Sequence, residues 1–325
     1  LVESDEAMTD AVGVVVVSYN SAADLPSCLA ALAAAEGVAR VVVVDNASTD
    51  ASREVVASRG DDRVDLLALD SNTGFAGGCN RGFAAIAREC GIVAFVNPDV
   101  SVAPDCLRLA AEALAADPGL AAVAPRLMRG DGVTVDSVGQ VLHPVTLEVR
   151  DRGYGRTLGP ELLEPRPVLA ACGALAVFRR EALMAVAGRQ GPWAERYFCF
   201  WEDLELGWRL VNAGGRISSL PAAVAVHGRG AGATDGRGPL RWRRPVELEA
   251  CVLTNRWMTL ARHLHPLDLM LRLPLLLGWD SALTTLGVVR RPKLVAAIAR
   301  RWPLVVREWR SRSGRPRRRL AELPW

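Results

Sequence analysis

Five consecutive apolar residues, Ile92 to Val96, stop abruptly in Asn97-Pro98-Asp99. Such a run fits a strand buried on both faces of a parallel sheet, and its terminal carboxylate is a hard oxygen donor at the edge where open α/β folds bind ligands. The chemistry on offer is cation ligation by Asp99; a simple turn uses the same tripeptide. Farther along, Glu202, Asp203 and Glu205 follow directly on Tyr197-Phe198-Cys199-Phe200-Trp201. Acids in a first helical turn are favoured by the helix dipole, which accounts for them as charge compensation, yet an aromatic run leading into three acids is an odd start for a solvated face. His227 closes a last short strand, Ile217 to Val226, beside a glycine-rich segment, a placement suited to a ligand. Glycines at 74, 77 and 78 let the backbone approach an anion ahead of a helix over Phe83 to Glu89. Neither the Walker nor the dinucleotide-binding spacing is present, and a glycine-rich surface turn serves equally well.

A repeating frame surrounds these residues. Val12 to Val17 ends in Ser18-Tyr19-Asn20-Ser21, Val41 to Val44 ends in Asp45-Asn46-Ala47-Ser48-Thr49-Asp50, and helical stretches follow at Pro26 to Ala35 and Ala51 to Ser58. Val64 to Leu69 reads as a third strand, Pro104 to Ala116 as a helix and Gly119 to Pro125 as a further strand. Two βα units in succession, each with its polar cluster at the strand's carboxyl end, predict a parallel sheet with one cleft along that edge. Arg129 to Glu164 is rich in Gly, Pro and charge without firm periodicity, and reads as a long excursion from the sheet. Leu169 to Phe178 returns to the core through Cys172-Gly173-Ala174, small enough for close ligand approach or for tight packing. Trp201, Leu204 and Trp208 form a core-facing helical stripe, with Glu202 and Glu205 together on another face.

With 325 residues, half of them hydrophobic, the chain has material for one large α/β domain and an appendage. A net charge of +3 gives no global case for nucleic-acid binding. Seven cysteines without a Cys-x-x-Cys pair read as reduced cytosolic thiols, and the apolar run from Val12 is too short for a signal-peptide core. From Pro239 the character changes: Trp242, Trp257, Trp279, Trp302, Trp309 and Trp325 are interleaved with arginines. Leu264 to Leu286 is apolar but interrupted by Pro266, Asp268, Arg272, Pro274 and Asp280, so it is no clean membrane span. Helices edged by Trp and Arg, with the basic tail Arg310 to Arg319, describe an interfacial surface for anionic lipid. An oligomer interface is the competing reading, and a nucleic-acid tail has no fold signature behind it.

Seven segments resemble, in order, the motifs of inverting family 2 glycosyltransferases with the GT-A fold, nearest the bacterial rhamnosyltransferase branch. They are Val-Ser-Tyr-Asn (17–20), Val-Asp-Asn-Ala-Ser-Thr-Asp (44–50), Asn-Thr-Gly-Phe-Ala-Gly-Gly-Cys-Asn-Arg-Gly (72–82), Asn-Pro-Asp-Val (97–100), Gly-Ala-Leu (173–175), Trp-Glu-Asp-Leu-Glu-Leu (201–206) and His227. The resemblance covers Val12 to His227 and implies a Rossmann-like, mostly parallel α/β sheet flanked by helices. It implies a nucleotide-sugar-binding catalytic domain over residues 1–238, leaving 239–325 as a helical extension for membrane association or oligomerisation. It also implies that Tyr19 packs on the nucleobase, that Asp45 accepts from its N3–H, and that Asn46, Asn72, Gly74, Asn80, Arg81 and Asn97 line the donor pocket. Asp99 and His227 would hold Mg²⁺ or Mn²⁺ against the diphosphate; many relatives carry an acid where this chain has Asn97. Asp203 would be the base that deprotonates the acceptor hydroxyl, with Glu202 holding sugar or acceptor groups and Glu205 standing where relatives often have Asp.

The expected reaction moves L-rhamnose from dTDP-rhamnose, or another sugar from a UDP- or GDP-linked donor, to a lipid-linked or cell-envelope glycan. The expected place is the cytoplasm, peripheral on the inner face of the cell membrane. Two rivals keep the scaffold: a non-catalytic nucleotide-sugar or glycan-binding protein, for which Asn97 speaks, and a nucleotidyltransferase. Against the second, Ser18-Tyr19-Asn20-Ser21 stands where a glycine-rich triphosphate loop would follow the first strand.

Overall fold

Valines build the centre of the sheet. In the computed structural model, which describes residues 11–86, 90–228, 244–311 and 317–324, four strands pair in parallel. They are β1 (Val12–Ser18), β2 (Val38–Asp45), β3 (Val64–Ala68) and β4 (Ile92–Val96), in the order β3-β2-β1-β4. Every residue of β1 and of β4 is buried, as strands covered on both faces require. The connections run through α1 (Leu25–Ala34), α2 (Ser52–Ala57) and α3 (Gly74–Ile86), so the polar ends of β1, β2 and β4 share one edge.

The next segment comprises β5 (Val100–Val102), α4 (Cys106–Ala116), β6 (Leu120–Arg129), β7 (Val135–Ser137), β8 (Gln140–Leu142) and β9 (Val149–Asp151). After it come β10 (Leu175–Arg179), α5 (Arg180–Val186), α6 (Glu202–Asn212) and β11 (Arg216–His227). Here the sheet of nine strands turns mixed: β11 is parallel to β6, whereas β10, β7 and β5 each run antiparallel to their neighbours. The reversal has a use. Leu175, at the start of β10, lies opposite Val96, and His227 lies opposite Val100, so both reach the edge that carries Asp99.

Two local expectations need correction. Arg129 to Glu164 is no structureless excursion, because β7 returns to β6 and β8 pairs with β9 in a hairpin; strands of three residues are too short to show alternation. The glycine-rich stretch is no loop before a helix at Phe83, because α3 already begins at Gly74; residues 87–89 of the expected helix lie outside the described residues. Two of its glycines, Gly78 and Gly82, face the sheet. A Cβ on Gly82 would stand 2.3 Å from a Val15 methyl, so side chains there would lift α3 off the strands.

One face of the sheet packs with α1 and α4 around Val14, Val16 and Leu107, and the other around Val15, Phe95, Phe83 and Trp208. The C-terminal helices α7 (Val246–His263), α8 (Pro266–Arg290) and α9 (Lys293–Arg310) join the second layer, where Met258, Leu260, Leu276 and Val305 share one apolar cluster with Trp208. Trp242, Trp325 and most of the glycine-rich segment after His227 lie outside the described residues. The basic tail is not a free arm. Arg317 donates to the Arg262 carbonyl at 2.9 Å, and Arg319 forks onto Asp268 at 2.8 to 3.0 Å, so this part is stitched to the body.

Candidate active site

Two groups mark the ends of β1 and β2. Tyr19 is half exposed and follows Ser18, which pairs with Asp45 across the strands. Asp45 is buried; its Oδ1 takes the Arg53 guanidinium at 2.6 Å and the Ser48 amide at 3.1 Å. Its Oδ2 is buried with no hydrogen-bond partner. A buried acceptor left without a donor is costly, which marks this oxygen for attention at the strand end.

The neighbouring polar residues hold the frame. Asn46 accepts from the Thr73 amide at 2.8 Å and donates to the Gly74 carbonyl at 2.9 Å, while Asn72 Oδ1 accepts from the Gly74 amide at 2.8 Å. Gly74 has φ +74°, and a Cβ there would meet the Phe198 carbonyl at 2.5 Å, so no side chain fits. Asn80 clasps the Trp193 backbone in both directions at 2.9 Å, and Arg81 pairs with Glu195. These residues come together as one wall joining β2, the start of α3 and the loop at Trp193. The Asn97 amide donates to the Ala174 carbonyl at 2.9 Å and ties the end of β4 to the start of β10.

Asp99 and His227 do meet. Asp99 Oδ2 lies 3.3 Å from His227 Nε2, and His227 Nδ1 lies 2.8 Å from Asp136 Oδ2. Asp136 is fully buried on β7, in the stretch that reads as an excursion, and nothing in its spacing flags it. Burial disfavours a charged imidazole, but the bonds to Asp136 and Asp99 outweigh it and push His227 up to about 9. A carboxylate on Nδ1 fixes the ring and leaves Nε2 facing Asp99; the Asp99 oxygen suits Mg²⁺ or Mn²⁺, while the imidazole would have to give up a proton before Nε2 could join as a ligand. Among the described residues no group of three His, Cys, Asp or Glu side chains is arranged to hold a metal ion, so Asp99 and His227 would be the protein's share of such a site.

The acids rest on a strained turn. Phe198, Phe200 and Trp201 have φ of 63°, 68° and 72°, unusual for bulky residues. What holds them is Asn255 of α7, whose Nδ2 spans the carbonyls of Tyr197, Cys199 and Phe200 at 2.8 to 2.9 Å. Arg301 of α9 in turn fixes Asn255 Oδ1 at 2.7 Å. Helix α6 begins there. Asp203 Oδ2 accepts from Gln140 Nε2 at 2.8 Å and from the Gly173 amide at 2.9 Å, and Oδ1 accepts from the Leu204 amide at 2.8 Å. Burial raises the Asp203 pKa against the pull of those bonds. Glu202 is buried with Oε2 unpartnered, and burial, then the charge of Asp203, pushes it well above the usual range.

Glu205 points elsewhere. It is fully buried between Arg209 at 2.7 Å, Arg262 at 3.0 Å and His263 at 3.1 Å, joining α6 to α7. Burial alone would raise its pKa, but Arg209, His263 and Arg262 hold it well below. Dipole compensation at the surface therefore does not explain this acid. Gln140 and Asn255, like Asp136, escaped the reading of the sequence. The polar run Thr254-Asn255-Arg256, set between apolar stretches of α7, was the one available signal.

Comparison with known proteins bears on this arrangement. The family profile described as glycosyl transferase family 2 matches residues 13–186. A Mycobacterium tuberculosis protein named N-acetylglucosaminyl-diphospho-decaprenol L-rhamnosyltransferase is 31% identical over 245 residues, 68% of this chain and 76% of the relative. Among solved structures, GalNAc-T7 with UDP, GalNAc and Mn²⁺ is similar with a TM-score of 0.59 at 14% identity; the match covers 79% of this chain and about half, 48%, of that one. The mannosyltransferase PcManGT from Pyrobaculum calidifontis, in complex with GDP-Man and Mn²⁺, is similar over 93% of this chain and 88% of its own, with a TM-score of 0.50 at 18% identity. The structural likenesses speak for the GT-A fold.

Proposed function

The chain belongs to glycosyl transferase family 2, near its rhamnosyltransferases, and from that premise we propose that it transfers L-rhamnose from dTDP-rhamnose to a lipid-linked glycan acceptor, with inversion. Residues 1–238 carry the chemistry in this reading, and 239–325 bring it to the inner face of a membrane in cell-envelope or polysaccharide assembly. Tyr19 stacks on the base and the open Oδ2 of Asp45 accepts its N3–H. The wall formed by Asn46, Asn72, Gly74, Asn80 and Arg81 gives the donor pocket its shape, with Asn97 at its far end.

Asp203 takes the proton of the acceptor hydroxyl. That oxygen attacks the anomeric carbon from the face opposite the diphosphate, the bond from carbon to phosphate oxygen breaks, and nucleoside diphosphate leaves. Gln140 and the Gly173 amide hold the Asp203 carboxylate in place, and burial keeps it basic enough to accept. Glu202, whose pKa burial and the charge of Asp203 raise, holds a sugar or acceptor oxygen. When bound by Asp99 and His227, Mg²⁺ or Mn²⁺ supplies charge neutralisation for the departing diphosphate. Asp136 keeps the imidazole oriented for that role.

The observation that carries this reading is the buried, open oxygen of Asp45 on the sheet edge that also presents Asp99, His227 and Asp203. The test is thermal stabilisation by a panel of nucleotide sugars with and without Mn²⁺, followed by release of nucleoside diphosphate when a lipid-linked acceptor is added. dTDP-rhamnose should raise the melting temperature most, and more with the metal. Stabilisation by a UDP- or GDP-sugar alone would overturn the donor assignment. Binding without turnover would return the non-catalytic reading toward which Asn97 leans.

A further inference from the structure

Helix α8 is built inside out. Its charged residues before Arg290 are Asp268, Arg272 and Asp280, and all three turn toward the protein. Asp268 takes the Arg319 guanidinium at 2.8 Å, Arg272 donates to the Pro144 carbonyl, and Asp280 takes Arg256 at 2.8 Å with both partners buried. The face left outside is apolar: Leu267, Met270, Leu271, Leu277, Trp279 and Val289 are 37% to 73% exposed. A surface helix of a water-soluble domain shows the reverse pattern. With 25 residues, α8 carries this stripe along roughly 37 Å at the helical rise of 1.5 Å per residue. Scattered surface leucines need no explanation, but a continuous apolar stripe marks an interaction face.

Charge decides what covers it. Between residues 264 and 311 the acids are Asp268, Asp280 and Glu308, each buried and each paired with arginine, Glu308 with Arg262 and Arg196. The exposed charges of α8 and α9 are Arg290, Lys293, Arg300, Arg307 and Arg310, all positive; Arg300 also pairs with Glu247 of α7. Half-exposed Trp302 and Trp309 stand among them. An open recess of about 610 Å³ lined by Trp302, Pro303, Val306, Arg307, Arg310 and Ser311 sets two guanidinium-bearing side chains beside an apolar floor. A second copy of the chain would bring the same cations to this face, with no exposed acid on α8 or α9 to meet them. An anionic bilayer satisfies both parts, acyl chains for the stripe and headgroup phosphates for the cations. Among the described residues no helix is long and apolar enough to cross a membrane, so the fit is to a helix lying in the interface.

We infer that the outer face of α8, with the cationic, tryptophan-bearing rim of α9, is the surface by which the protein docks in the plane of an anionic lipid bilayer. The inference deepens the proposal of a lipid-linked acceptor and rests on that reading only for which bilayer is met. It moves the contact from the basic tail to α8, since Arg317 and Arg319 are engaged with the body.

Flotation of the full chain with vesicles tests it, without donor or acceptor. The wild type should float with vesicles of phosphatidylcholine and an equal share of phosphatidylglycerol, and far less with phosphatidylcholine alone. Met270→Glu combined with Leu271→Glu, at two of the most exposed positions, should lower partitioning roughly tenfold or more while the melting temperature stays unchanged. Lys293→Gln with Arg307→Gln should erase the preference for phosphatidylglycerol. Flotation of the double-glutamate protein at wild-type levels would overturn the proposal, as would indifference of the wild type to lipid charge. So would a wild-type dimer in sedimentation that the glutamate pair dissociates, which would make the face a seam between copies. Because flotation needs no turnover, loss of transfer with flotation intact would count against the enzymatic reading alone, and the reverse against the surface alone.

Discussion

The nucleotide end and the acid end of the cleft are built in opposite ways. At the proposed nucleotide end the bonds to the Asp45 carboxylate are short in sequence: Asp45 reaches Ser48 and Arg53, three and eight residues away, and Asn72 reaches Gly74, although the wall beyond is tied from Asn46 to Thr73 and from Asn80 to Trp193. At the acid end they are long. Gln140 lies 63 residues from Asp203, and Asn255 lies 56 from Cys199. The first end is organised by the strand ends of a parallel sheet, while the second is a strained turn that stays in place only because the C-terminal helices hold its carbonyls. Donor binding and transfer should therefore come apart under mutation.

The widest separation is expected at Asp203. Asp203→Asn keeps the size and removes the base, so the rate of transfer should fall about 10²- to 10⁴-fold while donor affinity, read by calorimetry, stays close to wild type. Equal loss of both would erase the distinction between the two ends. Gln140 sharpens the same point through pH. Its hydrogen bond favours the charged carboxylate, whereas burial raises the Asp203 pKa. Gln140→Ala should raise that pKa further, so the acid limb of the kcat profile should move to higher pH. An unmoved acid limb would mean that another group takes the proton.

Much of the first end was legible in the sequence. β-branched runs stopping in Ser18-Tyr19-Asn20 and Asp45-Asn46 are local signals, and they point to a parallel sheet with its polar strand ends on one edge, though not to its strand order. Asp99 and His227 could be singled out because each follows the end of an expected strand, although only the antiparallel return of β11 beside β5 explains why they meet. Asp136 could not be found, since β7 spans three residues in a polar stretch and its role depends on pairing with β6. The positive φ at Phe198, Phe200 and Trp201 was equally hidden, because no glycine or asparagine marks those positions. Sequence spacing even grouped Glu205 with the other acids. Its partners lie four, 57 and 58 residues further on, and only Arg209 is close enough in the chain to suggest an ion pair.

Asn255 tests whether the helical region positions the acids or only covers the sheet. Asn255→Ala leaves the carbonyls of Tyr197, Cys199 and Phe200 without their common donor, so stability should fall by about 1–3 kcal/mol. Relaxation of the turn should misplace Asp203, with kcat lower by about 10²-fold and the donor dissociation constant unchanged. A loss of stability with kcat intact would make the clamp structural alone, and the comparison between the two ends would then describe folding rather than catalysis.

The smallest effect is expected at the nucleotide end, where the argument turns on one oxygen. Asp45→Asn leaves a group of the same size at the end of β2 but replaces a charged acceptor by a neutral amide. The bond to the base, weakened from a charged to a neutral acceptor, should lower donor binding roughly tenfold, about 1.4 kcal/mol. Arg53 loses its charged partner but keeps the Leu69 carbonyl at 3.1 Å, and its side chain is 42% exposed and can be solvated, so stability should change little. Methylation at N3 of the base separates these contributions. The methylated nucleotide should bind wild type about tenfold more weakly than the parent nucleotide, and Asp45→Asn should discriminate between the two far less. Equal discrimination by both proteins would mean that the open oxygen of Asp45 faces some other donor, and that the nucleotide end is read by Tyr19 and the backbone instead.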